Sequence, residues 1–211
     1  MKKILSLALT SVISLCTGFA EKKDIPNNLL TVRCGGNIST VTSYGVPSSH
    51  LGGFWLGLTD HISIYHKQPV YLETGLIFTQ KGYKLSGYKD SKTKLNYFEL
   101  PVMINYRIGN YGLFEVVPTV GGYVSVGVGG KLTYEETQQY NVFKEGSLDR
   151  LDCGLRLGAD VVFGIVSLSF TYDLGFKKID NFDPIFGDNE TLLGYKDIKN
   201  KSLLFGIGFN F

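Results

Sequence analysis

Val166-Ser-Leu-Ser-Phe-Thr-Tyr-Asp-Leu-Gly-Phe176 is the stretch whose reading decides the fold. Val166, Leu168, Phe170, Tyr172, Leu174 and Phe176 are apolar; Ser167, Ser169, Thr171 and Asp173 alternate with them. Successive side chains of a strand point to opposite faces, so this is a strand with one oily face and one polar face. The same rhythm recurs on either side. Leu151, Cys153, Leu155, Leu157, Ala159 and Val161 oppose Asp152, Gly154, Arg156, Gly158 and Asp160. Leu203, Phe205, Ile207, Phe209 and Phe211 oppose Gly206, Gly208 and Asn210. Phe98, Leu100, Val102, Ile104 and Tyr106 oppose Glu99, Asn105 and Arg107.

Extending this reading predicts eight strands, near 29–39, 50–59, 69–82, 94–108, 112–131, 149–163, 165–177 and 201–211. The connections after strands two, four and six (60–68, 109–111 and near Gly164) are short, except the first. Those after strands one, three, five and seven (40–49, 83–93, 132–148 and 178–200) are longer. Alternating short turns and long loops mark an antiparallel up-and-down transmembrane β-barrel. The expected fold class is therefore all-β, an eight-stranded barrel of this type. Glycine is dense, at 26 residues, and Tyr and Phe together number 27. In a narrow barrel glycine leaves room for large neighbours and lets strands bend.

Alternation does not say which face is inside. A soluble barrel would turn the oily face inward. The polar faces here carry mostly Gly, Ser, Thr, Asn and single charges, unlike the Lys- and Glu-rich surface of a soluble protein. Lysines gather instead in the expected loops, as at Lys84, Lys89, Lys92 and Lys94. The oily faces thus meet lipid, and Tyr and Phe towards the strand ends resemble an aromatic girdle.

Lys2 and Lys3 precede an apolar run from Ile4 to Leu15, and Gly18 and Ala20 stand before Glu21. This is the layout of a secretory signal peptide over residues 1–20, leaving a barrel domain over 21–211. The run is too short to anchor a helix in a bilayer. Cys16 raises a lipoprotein reading, which bulky Leu15 disfavours. Cleavage leaves 19 basic and 19 acidic residues, a balance that offers nothing to nucleic acid. Cys34 and Cys153 remain; both fall on the outer face of distant strands and are expected as free thiols.

With the polar face inward, charges of both signs enter the lumen. A hairpin centred on residue 111 sets Arg107 opposite Glu115, with Glu73 on the neighbouring strand. A hairpin turning between Gly164 and Ile165 sets Arg156 opposite Asp173. Arg33, Glu99 and Asp160 also point inward. Eight strands leave a lumen just wide enough for side chains, so the expectation is a salt-bridged interior and no open pore.

The segment Leu95-Asn-Tyr-Phe-Glu-Leu-Pro-Val-Met-Ile-Asn-Tyr-Arg107 resembles a hallmark of PorT-type outer-membrane β-barrels. In that family a Tyr-x-Glu-x-Pro stretch follows a Gln-Lys-Gly signal; here these are Tyr97-Phe-Glu99-Leu-Pro101 and Gln80-Lys81-Gly82. Gly52-Gly53 before an aromatic and the closing Gly-x-Gly-Phe at 206–209 fit as well. The resemblance implies an eight-stranded barrel in a Gram-negative outer membrane, with both termini facing the periplasm. One namesake member serves a protein-secretion system, a role that barrel likeness does not transmit.

Candidate chemistry is sparse. His50 lies near the outer rim beside Ser48 and Ser49, where an acyl-transfer site could form, but no spaced Ser-His-Asp pattern accompanies it. His61 and His66 are expected in a turn, as two ligands short of a metal site. Asn181-Phe-Asp-Pro184 and Gly187-Asp-Asn-Glu190 offer oxygens for Ca²⁺ without EF-hand spacing. The glycines at 121, 122, 127, 129 and 130 lie within a strand, not before a helix, so they form no phosphate loop. The inward charges are read as structural pairs over a proton or ion path. No catalytic residue, metal or cofactor is therefore expected. The expected partners are outer-membrane lipid and an extracellular or envelope protein. The leading function class is a non-enzymatic barrel, structural or displaying loops; the others are a lipid-active enzyme and a secretion accessory.

Overall fold

The computed structural model describes residues 27–44, 48–65, 68–85, 92–110, 112–134, 138–143, 148–179 and 196–211. Period-two segments become strands β1 (Asn28–Tyr44), β2 (Ser48–Tyr65), β3 (Val70–Leu85), β4 (Lys92–Tyr106), β5 (Ile108–Asn110), β6 (Phe114–Tyr134), β7 (Gln138–Tyr140), β8 (Leu151–Phe163), β9 (Val166–Gly175) and β10 (Lys196–Asn210). β5 continues the line of β4 past Arg107, and β7 folds back onto the end of β6. The other eight pair antiparallel in sequence order. β10 returns to β1, with Thr31 opposite Asn210, so the sheet closes with no free edge.

Burial is inverted relative to a soluble protein. Leu56, Leu76, Leu100, Ile104, Phe170 and Ile207 are exposed, while Arg33, Lys81, Glu99, Arg156 and Asp173 are buried. A contiguous apolar surface of this extent needs hydrocarbon against it. Aromatic rings mark both ends of the belt. Phe54, Phe78 and Phe98 neighbour one another at 5.7 and 5.6 Å towards the long-connection end. Phe114 and Phe163 meet at 5.1 Å at the other. From Phe98 to Tyr106 the strand runs about 26 Å at ~3.3 Å per residue, which a tilt of about 40° projects to roughly 20 Å, most of the ~25 Å height of a membrane barrel's apolar band.

Several expected boundaries are corrected. β1 runs to Tyr44 and β2 spans Ser48–Tyr65, so the connection placed at 40–49 shrinks to 45–47, and the turn placed at 60–68 shrinks to 66–69. β10 begins at Lys196, shortening the last connection. Towards the long connections hydrophobic alternation stops where a strand leaves the oily belt while backbone pairing goes on; at the end of β2 the outward Asp60 interrupts it before Ile62 and Ile64 resume it. The turn at Gly164 holds: Phe163 pairs with Val166, and Gly164 takes φ +59°, the left-handed value a two-residue hairpin needs at its first position.

Closure depends on one close approach. Gly35 of β1 lies opposite Gly206 of β10 and, on its other side, opposite Trp55 of β2. A Cβ on Gly206 would sit 2.5 Å from the indole, and one on Gly35 2.0 Å from the Phe205 carbonyl oxygen. The bare backbone admits the Trp55 ring, whose Nε1–H donates to the carbonyls of Gly36 (3.1 Å) and Phe205 (3.2 Å). One buried indole thereby ties the first strand to the last.

Candidate functional site: the ion-paired barrel interior

Inward positions of β1, β3, β4, β6, β8 and β9, with Arg107 just past β4, build stacked layers of charge. Nearest the short turns, Arg107 Nη2 donates to Glu115 Oε2 at 2.7 Å. Gly109 lies directly opposite Glu115, so the hairpin is centred one residue later than expected. Arg107 therefore reaches its partner diagonally. Glu73 belongs to a different pair from the one the sequence implied: Arg33 bonds it at 3.2 Å and Asp160 at 3.3 Å.

His61 is also corrected. It is not in a turn but in β2, buried and facing inward. Arg33 Nη2 lies 3.0 Å from His61 Nε2 and Asn105 Nδ2 2.9 Å from His61 Nδ1; both neighbours are donors, and a neutral imidazole accepts at one nitrogen only, so one of the two contacts is the hydrogen bond. Both ring nitrogens thus face protein donors inside the charge layer. Among the described residues no cluster of three or more His, Cys, Asp or Glu is placed to hold a metal. His66 and the acidic stretches near 181–190 lie outside the described residues.

The central layer is the densest. Arg156 donates Nε to Asp173 Oδ1 and Nη2 to Asp173 Oδ2, both at 2.7 Å, the two-pronged geometry that fits a guanidinium to a carboxylate. Its Nη2 also bonds Glu99. Lys81 completes the square, 2.8 Å from Glu99 and 3.2 Å from Asp173. The Tyr123 ring lies beside both cations, 4.3 Å from Lys81 Nζ and 5.3 Å from the Arg156 guanidinium carbon. Charge balances within the square, and all four members are buried. Such burial is tolerated only because every charge is paired.

Above the square, Asp152 makes no salt bridge among the described residues. Its Oδ2 accepts from Asn200 Nδ2 at 2.9 Å and from the Tyr123 hydroxyl at 3.4 Å. Above it an apolar plug joins strand residues Val41, Tyr83, Leu95, Tyr97 and Ile198 to Val142, Phe143, Leu148 and Ile179. The last four lie between strands, so two connections turn back into the barrel mouth. Gly127 and Gly130 make room: a Cβ on either would come within 2.5 Å of Phe143 or Val142.

Lys81, His61, Asp152, Asn105 and Tyr123 were not among the site residues read from the sequence. Lys81 shares the parity of Glu73 along β3, a signal sufficient to place it inside. His50 is exposed on the outer wall, in an open groove with Ile38, Thr40, Tyr172, Lys201 and Leu203. The Ser48 hydroxyl donates to the Val41 carbonyl at 2.6 Å. Cys34 is exposed and Cys153 half-exposed, both as free thiols. No helix is long and apolar enough to cross a membrane among the described residues, which says nothing against crossing by strands.

A family model described as outer membrane protein beta-barrel domain matches residues 25–181. Among solved structures, Neisserial surface protein A (NspA) is 14% identical, with 86% of this chain and 97% of that one covered and a TM-score of 0.50. Ail, the attachment invasion locus protein of Yersinia pestis, is 14% identical over 88% of this chain and 100% of its own, with a TM-score of 0.46. OprG from Pseudomonas aeruginosa is 14% identical over 87% and 96%, with a TM-score of 0.46. No curated protein matches. At these identities the likeness concerns the fold.

Proposed function

From the premise that this chain belongs to the outer membrane protein beta-barrel domain family, we propose that it is a small non-enzymatic barrel. Its filled interior makes a rigid wall, and its longer connections present a surface outside the cell. The observation that carries this reading is the content of the lumen. The Arg33 and Arg107 layers, the Lys81–Glu99–Arg156–Asp173 square and the Val142–Phe143 plug follow one another along the axis. A pore would need a wet path past all of them, and each ion pair opened along it would leave charges unpaired. The interior charges are thus structural members and not a conduction or catalytic relay.

The finer assignments belong to the same proposal. The PorT-type branch is supported by its two motifs coming together: Lys81 and Glu99 form one ion pair, and a Cβ on Gly82 would lie 2.2 Å from the Thr93 carbonyl oxygen. Residues 1–20 serve as a signal peptide for export in a Gram-negative cell, and both barrel ends at Asn28 and Asn210 face the periplasm. The partners are outer-membrane lipid and a protein of the envelope or cell exterior.

The test is electrical. Purified protein in planar bilayers should give no steady conductance above the lipid baseline. Stable, ohmic channels of uniform size would overturn the reading, since they require an open lumen.

A further inference from the structure

Beyond the apolar belt, the outer wall of β3, β4 and β6 changes in steps. Phe78 and Phe98 neighbour one another at 5.6 Å. At the next level Gln80 Nε2 donates to Asn96 Oδ1 at 3.1 Å. Beyond that, Lys84 lies directly opposite Lys92, and Lys94 directly opposite Lys131. Lys84, Lys94 and Lys131 are exposed and Lys92 half-exposed. None of the four enters a salt bridge among the described residues, whereas Lys177 elsewhere on the same rim is paired with Asp149.

Like charges set opposite one another weaken a sheet. Two such pairs on three adjacent strands make a repulsive quartet that nothing described on the protein neutralises. Its position supplies a partner. Apolar, then amide, then ammonium is the order a strand meets on leaving hydrocarbon for the headgroup layer. Lys94 stands about 13 Å along the strand from Phe98 at ~3.3 Å per residue. Strand tilt and the flexible lysine stem bring its ammonium within the headgroup region.

We propose that Lys84, Lys92, Lys94 and Lys131 bind the phosphates of an anionic lipid in the leaflet at the long-connection end of the barrel. Ammonium groups serve as point charges for phosphate, and a basic cluster beside a membrane gains several-fold in affinity from each added lysine. The lipid both saturates the quartet and cancels the repulsion along the β3–β4 and β4–β6 ladders. The inference rests on the membrane seat of the barrel and is independent of whether the lumen conducts.

The experiment compares wild type with Lys84→Gln/Lys92→Gln/Lys94→Gln/Lys131→Gln and with a control, Lys199→Gln/Lys201→Gln, on β10. Retention of phosphatidic acid on the folded protein in non-ionic detergent is read by native mass spectrometry, with phosphatidylcholine as neutral lipid. The quadruple variant should lose at least about tenfold in phosphatidic acid affinity, keep its phosphatidylcholine binding, and leave the control unaffected. Thermal unfolding should move in opposite directions. Without anionic lipid the quadruple variant should be the more stable; with phosphatidic acid only the wild type should gain. If the quadruple variant folds poorly, Lys92→Gln/Lys131→Gln, which removes one lysine from each pair, carries the same comparison. Equal retention by all forms, or equal loss in the control, would overturn the proposal. So would quartet-dependent binding of a soluble sulfated oligosaccharide without any of phosphatidic acid. Conductance by the same sample would sink the filled-lumen reading and leave this one standing.

Discussion

Lys81 and Glu99, eighteen residues apart in the chain, meet at 2.8 Å where neither side chain touches solvent. Replacing Lys81 with Met leaves Glu99 and Asp173 sharing one cation, Arg156. The expected loss is ~3–5 kcal/mol, the range for removing one partner of a buried pair. Lys81→Met/Glu99→Gln leaves the balanced Arg156–Asp173 pair and should recover most of it. Urea unfolding in detergent of wild type, both single variants and the double variant gives the coupling directly. Additive losses would show that the square is not a unit.

Trp55 is the only tryptophan, and its ring points into the barrel beside Gly206. Its fluorescence should be insensitive to brominated acyl chains when the protein is reconstituted. Phe54 points to lipid, so Phe54→Trp in a Trp55→Phe background should be strongly quenched. Trp55→Phe also withdraws the donor shared by the Gly36 and Phe205 carbonyls, at a cost of about 1–2 kcal/mol. Gly206→Val should prevent closure, because the new side chain claims the space of the indole. Strong quenching of wild-type Trp55 would contradict the inward assignment.

Much of this architecture is readable in strands whose apolar residues strictly alternate. Val166–Gly175 and Leu151–Phe163 carry their faces in plain period two, and Arg156 falls opposite Asp173 in register. What resists reading is whatever alternation does not encode. His61 follows Asp60, which interrupts the outward apolar series of Leu56 and Leu58 before Ile62 and Ile64 resume it, so a hydrophobicity criterion ends β2 too early. Placing Arg107 diagonal to Glu115 depends on a one-residue shift at a glycine turn. Val142 and Phe143 enter the mouth through a tertiary return that leaves no local signal, although Gly127 and Gly130 in β6 are its counterpart. Of the four outer lysines, Lys84, Lys92 and Lys94 read as loop composition, because apolar alternation ends before β3 and β4 reach them, and Lys131 at the far end of β6 carries no signal of its own.

Asp149 and Lys177 lie outside the spanning strands and tie the connection before β8 to the segment after β9. The Lys177 ammonium, and then the Leu151 N–H at 3.1 Å, hold the Asp149 carboxyl below the ordinary carboxylate range. A depressed carboxylate contributes above its unfolded value, ~3.9 for Asp, and stops contributing as pH falls through the folded one. Protection of the amides near 148–150 and 177–179 should therefore be constant from neutral pH to about pH 5. It should decline below about pH 4. Asp149→Asn should show weak protection throughout, with no step. Hydrogen exchange corrected for intrinsic rates measures it, and an unaltered step in the variant would assign the transition to another group.

Cys34 tests the outer face itself. It lies between Leu56 and Ile207 in register, both exposed, in the middle of the apolar belt. A charged maleimide needs thiolate and water at the sulfur, and hydrocarbon supplies neither. The folded, lipid-reconstituted protein should therefore resist labelling at Cys34 and become reactive when unfolded in urea. Cys34→Leu should be nearly neutral, whereas Cys34→Arg should cost ~2–4 kcal/mol, the depth-dependent charge penalty at a bilayer midplane. Were the oily face packed against protein in a water-soluble assembly, Cys34→Leu would not pass as neutral. Rapid labelling of the folded protein would mean that water reaches Leu56 and Ile207, which excludes a bilayer around them.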